Sequence, residues 1–197
     1  MEIKRRVREI FAQEAQAISE IPVTDEFERA VNLLKDCRGK VLTTGMGKAG
    51  HIANKFSATL CSTGTPASFV HPGEAAHGDL GLIEDKDAIV AFSTSGKTRE
   101  VLDMLAAGRK LGLHTVIGIT SHPDSMLREQ SDVVIDMGVI KEACHLDLTP
   151  TTSMAVMLAI SDALALLLME VKGFSREDYG RRHHGGYLGI KARDANS

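Results

Sequence analysis

Five short apolar runs, separated by longer segments of helical pattern, constrain the fold of this chain more than any other feature. The runs that predict strands are 40–44, 66–70, 88–92, 115–120 and 133–136. Residues 4–19, 25–37, 48–63, 98–111, 125–130 and 151–172 have the pattern of helices. Apolar strands that alternate with helices are typical of a parallel sheet covered on both faces. No proline- or serine-rich linker divides the 197 residues, so we predict a single α/β domain.

Charge and aromatic content exclude two classes of partner. The chain has 23 basic and 26 acidic residues, a net charge of −3, whereas a nucleic-acid or anionic-membrane surface needs a sustained basic excess. Six Phe, two Tyr and no Trp leave little for a base-stacking platform. We predict no nucleic-acid partner, and only a local cluster of residues could bind an anion.

Cysteine and hydropathy patterns indicate the compartment. The three cysteines are widely spaced and form no CxxC pair, which argues against a disulfide framework or a structural zinc site. The most apolar stretch, 154–169, is interrupted by Ser161 and Asp162 and is shorter than the ~18 residues of a membrane span. Residues 1–20 lack the apolar core of a signal peptide. We expect a cytoplasmic protein with no membrane partner, whose apolar helix is central in the core or shared between subunits.

The loop after the first strand contains a glycine pattern that could serve a phosphate. Gly45, Gly47 and Gly50 satisfy G-x-G-x-x-G, but a dinucleotide site also requires an acidic residue about 20 positions later. Residues 51–73 contain no Asp or Glu, so a nucleotide cofactor is disfavoured. Two interpretations remain: a tight turn that packs helix against strand, or a site for a smaller anion beside Lys48.

The loop after the third strand is rich in hydroxyl groups. Its end is similar to a Walker A loop, yet the glycine that this motif requires is Ala91 here. Capping of the next helix would need one hydroxyl, which Thr98 could supply. A cradle for one phosphate, formed with the free N–H groups of a helix start, is favoured by four hydroxyls within six residues: Ser93, Thr94, Ser95 and Thr98.

Three further segments carry candidate reactive groups. Segment 71–80 combines two histidines with two acids, so a metal site is possible, although the spacing matches no standard motif. Glu142 follows the fifth strand, at the sheet edge where ligands bind in α/β folds. Segment 181–186, which reads RRHHGG, is as consistent with a solvated tail as with a site.

Together these segments resemble the SIS (sugar isomerase) domain family, and most specifically its D-arabinose-5-phosphate isomerases. The resemblance covers about 39–191 and rests on TTGMGKAGHIANK, STGTPASFVHPGEAAHGDLG, STSGKTRE, KEAC and HHGGYLG. It implies a three-layer α/β/α sandwich with a central, mostly parallel five-stranded sheet. The helices of residues 1–38 would pack on the domain 39–197. The resemblance also implies a homotetramer with active sites between subunits.

The resemblance also implies roles for individual residues. Residues that hold the sugar phosphate would be Ser93, Thr94, Ser95 and Thr98, with help from Thr44, Gly45 and Gly47. Residues at the reacting end would be His183, Glu142, His77, Lys48 and Glu100. His183 would be the principal acid and base, with Glu142 the alternative base. His77 would polarise the substrate oxygens, Lys48 would stabilise the enediolate, and Glu100 would orient Lys48 or a hydroxyl. His77 and His183 would serve the phosphate loop of a neighbouring chain.

Departures from the family pattern are confined to a few positions. The family loop commonly reads SNSGES, whereas Thr94, Lys97 and Thr98 stand here. The family tail commonly reads HPGG, and His184 replaces its proline. Many members carry two CBS domains after the SIS domain. The sequence given ends at Ser197, so we expect any regulation to use the active site or subunit interfaces.

The resemblance implies reversible isomerisation of D-ribulose 5-phosphate and D-arabinose 5-phosphate, which supplies the precursor of Kdo for lipopolysaccharide or capsule. One alternative is another SIS isomerase, acting on sedoheptulose 7-phosphate or a hexulose 6-phosphate. A second alternative is a non-catalytic sensor of a sugar phosphate or nucleotide sugar. We expect no cofactor; zinc is possible, but the spacing of the ligand types does not support it.

Overall fold

The computed structural model describes residues 2–194. The strands are β1 (Val41–Gly45), β2 (Ala67–Phe69), β3 (Ala88–Phe92), β4 (Thr115–Thr120) and β5 (Val133–Asp136). The helices are α1 (Ile3–Ser19), α2 (Asp25–Asp36), α3 (Gly47–Ser62), α4 (Pro72–Ala75), α5 (Arg99–Lys110), α6 (Met126–Gln130), α7 (Thr152–Val171), α8 (Arg176–Arg182) and α9 (Gly186–Arg193). A 3₁₀ turn covers Asp79–Leu82.

The five strands form one sheet in the order β2-β1-β3-β4-β5, and every neighbouring pair is parallel. Helices cover both faces, so the predicted three-layer α/β/α sandwich is confirmed. The chain leaves β1 towards β2 on one side, while β3 begins on the other side of β1. This reversal of strand order between β1 and β3 opens a crevice at the carboxyl ends of the two strands, where α/β folds bind ligands.

Alternate residues of the strands face two separate hydrophobic cores. In β3, Val90 and Phe92 belong to the core shared with α2, α3 and α7. Ile89 and Ala91 belong to the core shared with α5 and α6 on the opposite face. Because every residue of β3 is buried, the strand has the continuous apolar sequence that a doubly covered parallel sheet requires.

Helix α7 lies at the centre of one layer. It is long and apolar enough to cross a membrane by length and composition alone. Val156, Ile160 and Leu164 are nevertheless buried in the core that α7 shares with the sheet and α3. Both α1 and α2 also contact α7. Its outer side leaves Leu166 and Val171 exposed.

The structure contains short helices that the sequence patterns did not predict. Helix α4 begins at Pro72, whose missing N–H is no loss at a first helical position. The turn at Asp79–Leu82 follows in the same segment, and α9 occupies the predicted tail. These segments are too short to show the periodicity from which the longer helices were predicted.

Asp87 organises the sheet edge opposite the crevice. Its buried carboxylate accepts hydrogen bonds from Lys40 Nζ (2.7 Å), from the Lys40 N–H (2.8 Å) and from the Glu84 N–H (2.9 Å). Burial by itself would raise the pKa of Asp87, but the hydrogen bonds outweigh it and hold the pKa below its usual 3.8. A carboxylate with a lowered pKa stabilises the fold above its unfolded pKa, and this contribution is lost as the pH falls through the folded value.

The Asp87→Asn variant should therefore be less stable by about 2–4 kcal/mol at neutral pH, since the buried position loses its charge and the partly buried Lys40 ammonium loses its partner. Stability should also depend less on pH below about pH 4, because the titrating group is gone. Urea denaturation at pH 7 and pH 3.5 measures both effects. The matched control is Asp85→Asn, which makes the same charge change at an exposed neighbour. Equal free energies of unfolding for the two variants at pH 7 would contradict the prediction.

Candidate active site

The loops that follow β1 and β3 form one side of an open cleft at the crevice. Gly45 pairs with Phe92 in the sheet, so the two loops leave it at adjacent points. Residues after β4 and residues that precede α7 complete the walls. The cleft has a volume of about 380 Å³, and its lining includes the predicted residues Lys48, Ser93, Thr94, Ser95, Thr98 and Glu142.

The hydroxyl loop, residues 93–98, is folded into a compact turn by its own side chains. Ser93 Oγ lies 2.9 Å from Thr98 Oγ1 and accepts the Gly96 N–H at 3.1 Å. Ser95 Oγ accepts the Lys97 N–H at 3.2 Å. These bonds hold several hydroxyl and N–H groups within a space that one phosphate group could fill.

The end of β4 supports the hydroxyl loop from behind. The hydroxyls of Thr120 and Ser121 donate to the Thr94 carbonyl at 3.1 and 2.9 Å. Gly96 has φ of +62°, and a Cβ atom there would lie 2.9 Å from Thr120 Oγ1 at the end of β4 and 2.5 Å from the Cβ of Ser125, which precedes α6. Only glycine therefore allows the loop to approach the end of β4 this closely.

The first turn of α5 is open to an anion. Thr98 is the N-cap residue, but its hydroxyl bonds to Ser93 and makes no capping bond to the helix. The N–H groups of the first turn of this 12-residue helix thus lack a side-chain acceptor from the N-cap. Together with the positive end of the helix dipole and Lys48 on the cleft wall, they favour a negatively charged ligand.

The glycine loop after β1 packs closely on α3. A Cβ atom at Gly50 would lie 2.5 Å from the Gly45 carbonyl oxygen, so the helix start can lie against the strand end. Thr44 is fully buried, and its hydroxyl donates to the Val70 carbonyl at 2.9 Å. The Thr44 side chain therefore braces the sheet, and Thr44 is not among the residues that line the cleft. Its role in substrate binding stays a prediction.

Glu142 takes the place of an N-cap for α7. Its Oε2 accepts the N–H groups of Thr151 and Thr152, both at 2.8 Å, and the Ser153 N–H at 3.5 Å. The carboxylate lies at the positive end of the longest helix, where a negative charge is stabilised. All three bonds reach the same oxygen, and Glu142 also lines the cleft.

Three predicted catalytic residues do not line this cleft: His77, Glu100 and His183. The His183 ring is stacked on the Tyr179 ring with centroids 3.9 Å apart, and its Nδ1 lies 3.0 Å from the Tyr179 carbonyl oxygen. A proton on Nδ1 would be donated to that carbonyl, which leaves Nε2 as the basic nitrogen. His77 is exposed beyond α4. The cleft of a single chain thus contains Lys48, Glu142 and the four hydroxyl residues of the loop after β3, but not the other three predicted catalytic residues.

The cleft also contains residues that sequence analysis missed. His122 lines it just beyond the end of β4. The remaining lining residues are Met46, Ala49, Phe92, Leu148, Pro150, Ser153 and Met154. His122 could have been found from its place two residues after a predicted strand, at the edge where ligands bind. The other residues carry no chemical signal in the sequence.

Cys144 lies two residues beyond Glu142 in the same loop. Its thiol accepts the N–H groups of Thr149 (3.1 Å) and Leu148 (3.2 Å), and these bonds lower its pKa to about 7. A substantial fraction of the Cys144 thiol is therefore thiolate near neutral pH.

Within residues 2–194, no group of three or more His, Cys, Asp or Glu side chains is arranged to hold a metal ion.

Comparison with protein families gives a match that covers the five strands of the sheet and the residues that line the cleft. The family model of the SIS domain matches residues 33–167. Arabinose 5-phosphate isomerase KdsD from Pseudomonas aeruginosa PAO1 is 46% identical over 167 residues, which are 85% of this chain and 51% of that protein. The chain spans about half the length of the curated relatives that it matches.

Two solved structures match nearly end to end. A proposed phosphosugar isomerase involved in capsule formation from Bacteroides fragilis NCTC 9343 has a TM-score of 0.90 and 46% identity, covering 94% of this chain and 99% of that one. A protein from Escherichia coli CFT073, solved in complex with arabinose 5-phosphate, has a TM-score of 0.88 and 38% identity, covering 92% and 97%.

Proposed function

Because the chain belongs to the SIS domain family, we propose that it is an aldose–ketose isomerase that interconverts D-ribulose 5-phosphate and D-arabinose 5-phosphate. One observation carries the proposal: the hydroxyl loop, which could hold one phosphate group, lines the same cleft as the Glu142 carboxylate and the Lys48 ammonium group. Relatives named arabinose 5-phosphate isomerase and a similar structure in complex with arabinose 5-phosphate support the choice of substrate.

The phosphate of the substrate would be held at the hydroxyl loop. Ser93, Ser95 and Thr98 supply hydroxyl donors there, and the first turn of α5 supplies N–H groups. Thr94 lines the same pocket, while Gly45 and Gly47 shape the neighbouring loop. Binding at the phosphate would fix the position of the sugar carbons along the cleft towards Glu142.

The reaction moves protons between two carbons and two oxygens. A base removes a proton from C1 of the ketose, the O1 proton is exchanged for one on O2, and a proton returned to C2 gives the aldose. Lys48 would stabilise the negative charge of the enediolate. His183 would act as the principal acid and base through Nε2, with Glu142 the alternative base. Glu100 would orient Lys48 or a hydroxyl.

The histidines would reach the cleft from another subunit. His77 and His183 do not line the cleft of their own chain, which supports a site shared between copies. Helix α1 exposes Ile3, Val7 and Phe11 at a spacing of four residues. They form an apolar stripe that another subunit could cover. We therefore propose a homotetramer with active sites between subunits. Light scattering, which gives the molar mass of the assembly, tests this proposal.

The product would serve as the precursor of Kdo for lipopolysaccharide or capsule in the cytoplasm. The capsule role of the Bacteroides fragilis relative supports this context. No cofactor is needed for the proton transfers described, so we expect activity to survive EDTA treatment. Loss of activity with EDTA and its return with zinc would contradict that expectation.

An NMR assay in D₂O tests the proposed function. D-Ribulose 5-phosphate should be converted to D-arabinose 5-phosphate with deuterium at C2, because the catalytic base exchanges its proton with solvent. Sedoheptulose 7-phosphate and a hexulose 6-phosphate in parallel reactions test the other phosphosugar substrates. Tight binding of D-ribulose 5-phosphate without turnover would instead identify a non-catalytic sensor and overturn the proposal.

A further inference from the structure

Helix α1 reaches the segment that carries Glu142. An NH2 group of Arg6 donates to the Ala143 carbonyl, and Gln13 Nε2 donates to the Lys141 carbonyl at 3.0 Å. The two carbonyls belong to the residues on either side of Glu142. Two side chains of one helix thus hold the backbone immediately before and after this glutamate.

The same segment is tied to α7 on its other side. The Ala143 N–H donates to Thr152 Oγ1 at 3.1 Å, and the Glu142 carboxylate accepts N–H groups at the start of α7. The Glu142 N–H donates to Asp147 Oδ1 at 2.6 Å. Since residues 137–151 form neither helix nor strand, these side-chain bonds fix the loop in place of a regular hydrogen-bond ladder.

The bonds from α1 are specific contacts on a lightly packed helix. No residue of α1 is buried in the described chain. The helix also precedes residues 33–167, which match the family. Arg6 is only partly exposed although it is a long cation on a surface helix, because its guanidinium reaches in to the Ala143 carbonyl.

We propose that Arg6 and Gln13 are positioning residues that set the place of Glu142 in the cleft. They line no part of the cleft and act through the backbone of residues 141 and 143. The inference rests on the proposed isomerase function for its kinetic consequence. A displacement of about 1 Å at a reacting group can lower a rate by about a hundredfold, so a small shift of this loop is enough to be measured.

The test begins with Arg6→Ala, Gln13→Ala and the double variant. The matched control is Arg8→Ala, which removes an exposed arginine from the same helix. The double variant should lower kcat by about tenfold and change KM less than twofold, since the loop moves while the phosphate site stays intact. Arg6→Lys, which keeps a cationic donor, should recover part of the kcat.

A cycle with Glu142→Gln separates positioning from general stability. If Arg6 and Gln13 act through Glu142, the double variant should have no further effect on kcat in the Glu142→Gln background. An equal fold loss in both backgrounds, or no loss in the wild-type background, would overturn the inference.

Hydrogen exchange gives a readout that does not depend on catalysis. Amides of residues 138–150 should exchange faster in the Arg6→Ala/Gln13→Ala protein than in Arg8→Ala, with the strands of the sheet unchanged. Equal exchange in the two proteins would overturn the inference. If the wild-type protein itself fails to isomerise the sugar phosphate, the proposed function fails, and the exchange comparison still decides whether α1 holds the loop.

Discussion

The His183→Asn variant should isomerise D-ribulose 5-phosphate about 10²- to 10⁴-fold more slowly than the wild-type protein, the range typical of a positioned acid or base. Asparagine keeps an N–H donor near the place of Nδ1, so the bond to the Tyr179 carbonyl can persist. The basic nitrogen, Nε2, is lost. KM should change little because the hydroxyl loop is untouched. Steady-state kcat and KM at pH 7.5 measure both quantities.

Two companion variants decide the assignment. His184→Asn alters the exposed neighbouring histidine and should keep wild-type kcat. Glu142→Gln removes the carboxylate charge and leaves an amide oxygen that can accept the N–H groups of Thr151 and Thr152. If His183→Asn retains near wild-type kcat while Glu142→Gln does not, the base is Glu142 and the assignment to His183 is abandoned.

The Gly96→Ala variant should lose binding of the sugar phosphate. Gly96 has φ of +62°, and the added methyl would overlap Ser125 Oγ and lie 2.9 Å from Thr120 Oγ1. The loop must move to relieve this overlap, which misplaces its hydroxyl and N–H donors. Loss of one hydrogen bond to a charged group costs about 1.5–3 kcal/mol, so KM should rise about tenfold to a hundredfold. Kinetics and competitive inhibition by inorganic phosphate measure the effect.

Gly173→Ala is the matched control for Gly96→Ala. Gly173 has the same φ of +62°, but a Cβ atom there would meet nothing within 4 Å. Both variants should lose about 1–2 kcal/mol of stability from the left-handed backbone, and Gly96→Ala should lose more because its methyl also overlaps Ser125. Only Gly96→Ala should lose phosphate affinity. Equal KM values for the two variants would show that the close approach to Ser125 does not matter for binding.

The fold could be predicted from the sequence because each strand is a buried apolar run and the helices between strands are long. Three of the five strands, β3, β4 and β5, begin and end at the predicted residues. The hydroxyl loop could also be predicted, since four hydroxyls exceed what capping needs, and the structure shows Thr98 bonded to Ser93 with no capping bond. Loops at the carboxyl ends of parallel strands necessarily meet at one edge.

The direction of individual side chains at that edge could not be predicted. Thr44 stands near the end of β1. Because successive side chains of a strand point to opposite sides, a shift of one residue decides whether the Thr44 hydroxyl faces the cleft or the core. The structure buries it against Val70. Glu142 could be singled out as a carboxylate after a strand, but its bonds to the start of α7 depend on the path of residues 143–151, which has no periodic signal. The contacts of Arg6 and Gln13 join residues more than 120 positions apart, which no local pattern encodes.

The order β2-β1-β3-β4-β5 also places the two shortest strands at the margins of the sheet. β2 has three residues and β5 has four. An unpaired margin of a sheet is a template on which a strand from another molecule can add, and short strands offer few free backbone groups for it. Beside β5, Arg128 bonds to Asp136 at 2.6 Å, so that margin also carries charged side chains. Growth of fibres by strand addition is thereby opposed, and the faces of the helices are left as the surfaces through which the proposed homotetramer would assemble.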